Sequence, residues 1–204
     1  GRESLRRVIV ILNPMAGGKK ARKVYDDIVE RMLAQAGLTV SVVETEHAGH
    51  GIEVGRKIDV GLYDAVVAMG GDGVISEVCN GLLLKSNGRT DNGQVLPIGI
   101  IPVGSGNGLA ASILKSAGEP VEPVSATLSL LRARTERLDM GVVSQHGQVT
   151  GYSILSLATG LVADIDIGAD AYRWLGTVRT DLVAVRDILK LKSYRGRLQL
   201  LLEE

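Results

Sequence analysis

Short apolar runs alternate along the chain with longer segments in which apolar residues recur every three or four positions. Four of these runs have the length of a buried strand, and they cover residues 8–12, 39–43, 65–69 and 96–101. Runs rich in aliphatic and β-branched residues are typical of strands that are covered on both faces, as in a parallel sheet. The pattern therefore predicts four strands of one parallel sheet.

Segments with helical periodicity separate and follow the predicted strands. In the first of them Val24, Ile28 and Met32 recur at intervals of four, and Gly37 is a plausible C-terminal stop. The predicted helices cover residues 21–36, 52–58, 74–84, about 109 onward and 124–134. Because strand, loop and helix repeat in this order, the sequence predicts an α/β domain over residues 1–137.

The pattern changes near Arg137. The segments beyond it predict two strands around a short turn, then a helix and a final strand, at residues 137–144, 149–157, 177–191 and 197–202. Strands joined by a short turn pair in an antiparallel manner. We therefore expect a second, mainly antiparallel β domain over residues 138–204, and because so few elements make a thin domain we expect it to be incomplete, with the chain ending inside it.

Composition narrows the function classes. The 23 basic and 23 acidic residues cancel, and aromatic residues make up only 3% of the chain, so neither a basic field nor a base-stacking surface points to nucleic acid. A single cysteine, Cys79, excludes a disulfide within the chain. No apolar run reaches the roughly 18 residues of a membrane-spanning helix. We expect a cytoplasmic protein that contacts membranes peripherally at most.

Three glycine-rich loops follow predicted strands. The first glycine loop comprises residues 13–20, the second 70–73 and the third 104–108. In a parallel sheet such loops gather at the carboxyl edge, where ligands bind in open α/β folds. Their backbone N–H groups, with the helices behind them, favour an anion site, to which Lys19 and Lys20 add charge. Each loop alone could be a tight turn and none matches a standard nucleotide signature, but together they favour phosphate binding.

Asp72 is the most informative single residue because it lies between glycines directly before a predicted helix. One interpretation is the N-cap of that helix. The other is a carboxylate that accepts the proton of an attacking hydroxyl or helps to hold Mg²⁺ beside a transferring phosphate. Glu77, little more than one helical turn later, either orders the site or is an exposed acid. The three histidines lack a zinc-site spacing, and Cys79 is expected to be a buried small hydrophobic residue.

The three loops together carry a resemblance. Asn13-Pro14 with the following Gly-Gly-Lys, Gly-Gly-Asp-Gly at 70–73 and Gly-Ser-Gly-Asn at 104–107 resemble the catalytic domain of the diacylglycerol kinase superfamily, which includes diacylglycerol, ceramide and sphingosine kinases. Further downstream, segments around residues 153–158, 163–166, 172–179 and 194–198 are similar to the sphingosine kinases. The resemblance extends from about Val8 to Leu202.

This resemblance implies transfer of the ATP γ-phosphoryl group to the primary hydroxyl of sphingosine or a related sphingoid base, with Mg²⁺ bound near Asp72. Asp72 would be the catalytic base. Arg173 and Arg179 would reach the phosphates from the second domain, which would be the start of a lipid-binding domain. The other residues that the resemblance places around the nucleotide are Asn13, Gly17, Gly18, Lys19, Thr45, Gly70, Gly71, Gly73, Glu77, Gly104, Ser105, Gly106 and Asn107.

The resemblance also implies that Asp166, with Asp164 as a second candidate, meets the polar head of the lipid. A sphingoid base carries a cationic amine that a carboxylate can bind by a charge-assisted hydrogen bond. On a predicted strand the two carboxylates point to opposite faces, so we expect one of them to face the lipid. A lipid substrate implies peripheral recruitment to membranes. Alternatives are a diacylglycerol or ceramide kinase, a non-catalytic nucleotide- or lipid-binding fragment, and an enzyme similar to NAD kinases.

Overall fold

A computed structural model describes residues 5–86, 96–170, 172, 178–190 and 192–196, without the side chains of Ser86, Asp170 and Arg179. Backbone contacts divide the chain into two units, Gly1–Leu155 and Ser156–Glu204. The division falls after residue 155 rather than at the predicted 137/138 boundary, because the hairpin that follows residue 140 packs on a helix of the first unit. That residues from 138 onward begin a longer β-rich lipid-binding domain stays a prediction.

The first unit is built on a four-stranded parallel sheet, as the sequence predicts. Its strands lie in the order β2-β1-β3-β4, and Val8 on β1 pairs with Val40 on β2 and Ala65 on β3. The α/β fold class is therefore confirmed. The strands are β1 (Arg7–Leu12), β2 (Thr39–Glu44), β3 (Ala65–Gly70) and β4 (Ile98–Pro102).

Helices connect the strands and cover the sheet. The predicted helix over residues 21–36 is present, with a π-helical turn at Tyr25–Val29 in its middle. The helices of the first unit are α1 (Ala16–Lys19), α2 (Ala21–Val24), α3 (Glu30–Gln35), α4 (His50–Lys57), α5 (Asp72–Ser86), α6 (Gly108–Ser116) and α7 (Pro123–Leu131).

Two apolar cores lie on opposite faces of the sheet. Val8 and Val10 of β1 belong to one core with Leu33 of α3, whereas Ile9 belongs to the other with Ile75 of α5. Successive side chains of a strand point to opposite faces, so a strand between two helical layers must be apolar at every position. This explains why β1 and β3 read as continuous apolar runs.

A β-hairpin completes the first unit. It consists of β5 (Gly141–Gln145) and β6 (Gln148–Ser153), which pair in an antiparallel manner as predicted but are shorter than the predicted strands. His146 and Gly147 form its turn with φ angles of 51° and 76°, the left-handed geometry that two-residue hairpin loops favour. The hairpin packs on α5.

The described part of the second unit contains two packed helices, α8 (Leu161–Asp170) and α9 (Val178–Leu189). The prediction that Asp164 and Asp166 alternate along a strand is therefore wrong. Leu161, Ile165 and Ala169 recur at helical spacing, and Ala169 is buried. The strand predicted at 197–202 lies outside the described residues. None of the helices in the described ranges is long and apolar enough to cross a membrane.

Candidate functional site

The loops that follow β1, β2, β3 and β4 meet at the carboxyl edge of the sheet. Asn13 N donates to Met69 O at 3.0 Å, Thr45 N to Leu12 O at 2.8 Å, and Val103 N to Gly70 O at 3.0 Å, so each loop start is tied to a neighbouring strand. The chain leaves β1 in one direction to reach β2, while β3 lies on its other side. Ligands of open α/β folds bind at such a switch point.

Backbone contact between loops requires several of the glycines. A Cβ atom on Gly104 would lie 2.5 Å from Gly71 Cα, and one on Gly71 would lie 2.7 Å from Gly106 O. A Cβ on Gly17, whose φ is +60°, would lie 2.6 Å from Val103 O. The first and second glycine loops therefore both pack directly on the start of the third. These glycines are needed for contact between the loops, independently of any role in binding a phosphate.

Asp72 joins the second and third glycine loops. Its carboxylate accepts hydrogen bonds from the N–H of Gly108 at 2.7 Å and of Leu109 at 3.1 Å, and its own N–H donates to Gly106 O at 3.1 Å. Asp72 begins α5 but its side chain caps α6, so the predicted N-cap role applies to a different helix. The half-buried carboxylate keeps lone pairs for a further donor, because an ionised carboxylate accepts up to about four hydrogen bonds.

Asn107 closes the third glycine loop on itself. Its Oδ1 accepts from Gly104 N at 3.1 Å and its Nδ2 donates to Gly104 O at 2.6 Å. This closed turn leaves Ser105 and Gly106 exposed at the tip. The tip therefore presents a hydroxyl and backbone to solvent at the edge where Asp72 lies.

The first glycine loop has left-handed backbone at three successive residues. Gly17, Gly18 and Lys19 have φ angles of 60°, 67° and 69°. Asn13 Oδ1 accepts a hydrogen bond from Met15 N at 3.0 Å and so sets the start of the turn. The Lys19 side chain is exposed, and its contact with a phosphate stays a prediction.

Glu77 orders the loop between β2 and α4. Its two carboxylate oxygens accept hydrogen bonds at 2.9 Å from the N–H groups of Gly49 and Gly51, at the start of α4. Of the interpretations that the sequence leaves open, the exposed acid is therefore wrong. The same loop begins with the buried Thr45. A direct contact of Glu77 or Thr45 with a nucleotide stays a prediction.

Metal-ligating side chains are sparse in the described ranges, where no group of three or more His, Cys, Asp and Glu residues could hold a metal ion. His47 and His50 stack with ring centroids 4.9 Å apart, and His50 Nδ1 accepts from Glu46 N at 3.0 Å. Asp72 is the one acidic residue of the three glycine loops. That donor set fits Mg²⁺, which binds phosphate oxygens, waters and few carboxylates.

The predicted lipid-binding carboxylates belong to the second unit and differ from each other. Asp164 accepts hydrogen bonds from Lys192 Nζ and from Tyr194 OH, and these bonds lower the pKa of Asp164. Asp166 is exposed, and no described side chain pairs with it. Among the described residues, Asp166 is thus the one of these two carboxylates without a side-chain partner, and contact of either with a lipid stays a prediction. Arg173 lies outside the described residues, and so does the side chain of Arg179.

Sequence reasoning missed two parts of the site. The N–H groups of Gly108 and Leu109 hold Asp72, although only the glycine-rich composition of the third loop marked this segment. The other is Asn80 on α5, whose side chain bonds to the backbone of Tyr152 on β6. Asp72, Ser76 and Asn80 recur at intervals of four and so share a face of α5, which is the signal that could have found Asn80.

Comparisons with known proteins agree with the fold, and they show that the sequence is similar to a known family and to curated proteins. The model of the family described as diacylglycerol kinase catalytic domain matches residues 7–143. Sphingosine kinase 1 of Arabidopsis thaliana is 40% identical over 193 residues, which are 95% of this chain and 39% of that protein. Sphingosine kinase 1 of Homo sapiens is 38% identical over 197 residues, which are 94% of this chain and 51% of that protein.

The solved structures show the same fold at lower sequence identity. The crystal structure of a putative diacylglycerol kinase from Bacillus anthracis aligns with a TM-score of 0.54 and 23% identity, over 69% of this chain and 42% of that one. The chain thus spans between two fifths and about half of the curated relatives named above.

Proposed function

The chain belongs to the diacylglycerol kinase catalytic domain family, and from that premise we propose that it forms the catalytic part of an enzyme that transfers the ATP γ-phosphoryl group to the primary hydroxyl of a sphingoid base. The observation that carries the proposal is the position of Asp72. Its carboxylate lies where the second and third glycine loops meet, held by two backbone N–H groups of α6. The relatives named as sphingosine kinases support the choice of lipid.

The glycine loops supply the positioning that phosphoryl transfer needs. Backbone N–H groups of the loops and the N-terminus of α5 favour negative charge at the sheet edge. The exposed side chains of Lys19 and Lys20 add positive charge at the rim. Mg²⁺ would neutralise the negative charge of the phosphates here, and Asp72 is the carboxylate of these loops that would help to hold it.

Asp72 acts as general base in this proposal. The hydroxyl of the lipid donates a hydrogen bond to a free lone pair of the carboxylate, and its proton passes to Asp72 as the oxygen bonds to the γ-phosphorus. The bond between the γ-phosphorus and the β,γ-bridging oxygen breaks, and ADP leaves. The two amide hydrogen bonds keep the carboxylate from rotating away from the acceptor.

Asp166 supplies selectivity for a cationic lipid. Its exposed carboxylate can accept a charge-assisted hydrogen bond from the amine beside the reacting hydroxyl. Asp164 already accepts hydrogen bonds from Lys192 and Tyr194, so it is the second candidate for this role. Diacylglycerol and ceramide lack this cation. The proposal includes a cytoplasmic location with peripheral recruitment to membranes, because the substrate is a long-chain lipid.

A phosphate-transfer assay tests both the reaction and the lipid. Radiolabelled ATP with Mg²⁺ is offered with sphingosine, ceramide or diacylglycerol to this chain and to any longer protein of which it forms part. We expect label in sphingosine, loss of that label in Asp72→Asn, and weaker preference for sphingosine in Asp166→Asn. Label only in diacylglycerol would favour the second candidate, a diacylglycerol kinase, which the description of the family model itself suggests. No label in any lipid would count against a kinase.

A further inference from the structure

The side chain of Asn80 binds one residue of β6 at two points. Asn80 Oδ1 accepts from Tyr152 N at 2.8 Å, and Asn80 Nδ2 donates to Tyr152 O at 2.9 Å. The second Nδ2 hydrogen goes to Ser76 O, one turn earlier on α5, at 2.9 Å. We call these bonds the Asn80 clasp. The side-chain amide of Asn80 thus makes the two hydrogen bonds that the backbone of a neighbouring strand would make.

The hairpin is shaped to receive the clasp. The N–H and C=O of one residue in an antiparallel strand point to the same side. Tyr152 pairs with Val142 of β5, yet its N–H and C=O both point to Asn80 and so away from β5. A Cβ on Gly151 would lie 3.1 Å from Asn80 Oδ1, tighter than an ordinary contact. Glycine at 151 therefore lets the amide approach the strand.

The strand that is held in this way leads to the catalytic carboxylate. Leu155 follows Tyr152 by three residues. Its Cδ2 lies 3.8 Å from the point that a Cβ atom on Gly108 would occupy. The N–H of Gly108 donates to Asp72 Oδ2 at 2.7 Å. Asp72 and Asn80 lie on the same face of α5. Asp72 is therefore connected to β6 and the residues after it in two ways, through α5 and the Asn80 clasp and through Gly108 and Leu155.

We propose that Asn80 is a positioning residue for the acceptor side of the site, an inference that rests on the proposed lipid kinase function. The clasp fixes where β6 ends and therefore how far Leu155 lies from the carboxylate that receives the proton of the acceptor hydroxyl. Proton transfer needs that hydroxyl within hydrogen-bond distance of the base. A misplacement of about 1 Å in such a position can cost about 100-fold in rate.

Contacts that assemble the glycine loops without passing through Asn80 include the bond from Val103 N to Gly70 O and the close approach of Gly71 to Gly104, both of which precede β6 in the chain. A loosened clasp should therefore affect the lipid more than the nucleotide. A residue that only stabilises the fold would affect both substrates alike, so the two cases can be told apart by kinetics.

Two substitutions loosen the clasp from opposite sides. Asn80→Asp keeps the size of the side chain and the acceptor but turns an oxygen toward Tyr152 O and Ser76 O, which repel it. Gly151→Ala leaves Asn80 intact and places a methyl group against its Oδ1. Thr150→Val is the matched control, since it removes the hydrogen bond from Thr150 Oγ1 to Val143 O within the same hairpin and leaves the clasp unchanged.

The experiment measures steady-state kinetics with each substrate varied in turn, and hydrogen exchange at the Tyr152 amide. In both clasp variants we expect faster exchange, a fall of about 10- to 100-fold in kcat/KM for the lipid, and a KM for ATP within about twofold of the original. Thr150→Val should match the unsubstituted protein in all three respects.

Two results would overturn the inference while the proposed function stands. One is unchanged lipid kinetics in variants whose Tyr152 amide exchanges faster, and the other is an equal loss for lipid and ATP. Absence of lipid phosphorylation by the unsubstituted protein is a different result. It would remove the proposed function and, with it, the inference.

Discussion

The carboxylate of Asp72 accepts a 2.7 Å hydrogen bond from the backbone N–H of Gly108, which lies 36 residues further along the chain. With the second bond, from Leu109 N, the first residue of α5 becomes the cap of α6. Two hydrogen bonds therefore hold the proposed base against the third glycine loop and the start of α6. A change at Asp72 must affect the fold as well as the chemistry.

Replacement of Asp72 by alanine should lower the free energy of unfolding by about 1–2 kcal/mol, because two N–H groups at the start of α6 lose their acceptor. Asp72→Asn keeps one acceptor oxygen and should cost less. Urea unfolding followed by circular dichroism measures both. Asp27→Ala, at an exposed helical position, is the control and should stay within about 0.5 kcal/mol of the original. A cost in Asp72→Ala no larger than in this control would mean that the carboxylate does not hold α6.

A methyl group should be tolerated at Gly73 of the second glycine loop but not at Gly71 of the same loop or at Gly104 of the third. Gly71→Ala and Gly104→Ala each place a Cβ within 2.7 Å of backbone atoms of the other loop, so the loops must separate. We expect each to cost about 1–3 kcal/mol of unfolding free energy, as overpacking does. Gly73→Ala is the matched control in the same motif, because no atom of the described residues lies within 4 Å of its Cβ position.

Gly73 lies in the first turn of α5, where alanine is the better helix former. The control should therefore be neutral or more stable by up to about 1 kcal/mol. Equal destabilisation by all three substitutions would show that the motif needs glycine for a reason other than contact between the loops. Thermal unfolding of the three variants side by side decides this.

The sequence predicted the features that depend on local pattern. Continuous apolar runs identified β1 and β3 because both faces of each strand are covered, and the three glycine loops were assigned to one sheet edge by the rule for parallel strands. The resemblance to the diacylglycerol kinase superfamily is confirmed by the family match over residues 7–143. Pairings between distant residues could not be predicted, since no local signal links Asp72 to Gly108 or Glu77 to Gly49.

The prediction for residues 163–166 failed for a related reason. Four residues that alternate between apolar and acidic fit a strand as well as a helix. Only the spacing of Leu161, Ile165 and Ala169 along the ten-residue α8 distinguishes the two. In a helix, positions two apart still lie about 200° around the axis from each other. The expectation that one of the two carboxylates faces the lipid therefore stays a prediction, now based on the geometry of a helix instead of a strand.

Glu77→Ala should loosen the loop that carries Thr45. The N–H groups of Gly49 and Gly51 lose their acceptors, which should cost about 1 kcal/mol of unfolding free energy. We also expect a higher KM for ATP with little change in the KM for the lipid, the reverse of the pattern expected for the clasp variants. Arg56→Ala, at an exposed position on α4, is the control. An unchanged KM for ATP in Glu77→Ala would separate this loop from the nucleotide.

Cys79 should resist thiol reagents until the protein unfolds. The residue is 1% exposed, and burial raises the pKa of its thiol to about 11, so little thiolate is present at neutral pH. Alkylation by iodoacetamide, followed by mass spectrometry across a urea series, should rise together with the unfolding transition. Rapid modification in the absence of urea would show that α5 opens locally around Cys79.

Asp187 should make the stability of the second unit depend on pH in acid. The residue is 2% exposed, and the hydrogen bonds and charge of Arg186, together with the nearby Lys190, lower the pKa of its carboxylate from 3.8 to about 2. The unfolded chain binds this proton near pH 3.8, whereas the folded chain binds it only near pH 2. The stabilisation is therefore complete above about pH 4 and is lost as the pH falls toward 2. Urea unfolding of the intact chain at several pH values between 2 and 5 measures the slope. Asp187→Asn should make the slope shallower in this window and leave it unchanged between pH 5 and 7, and an identical slope below pH 4 in both proteins would mean that the ion pair does not form in solution.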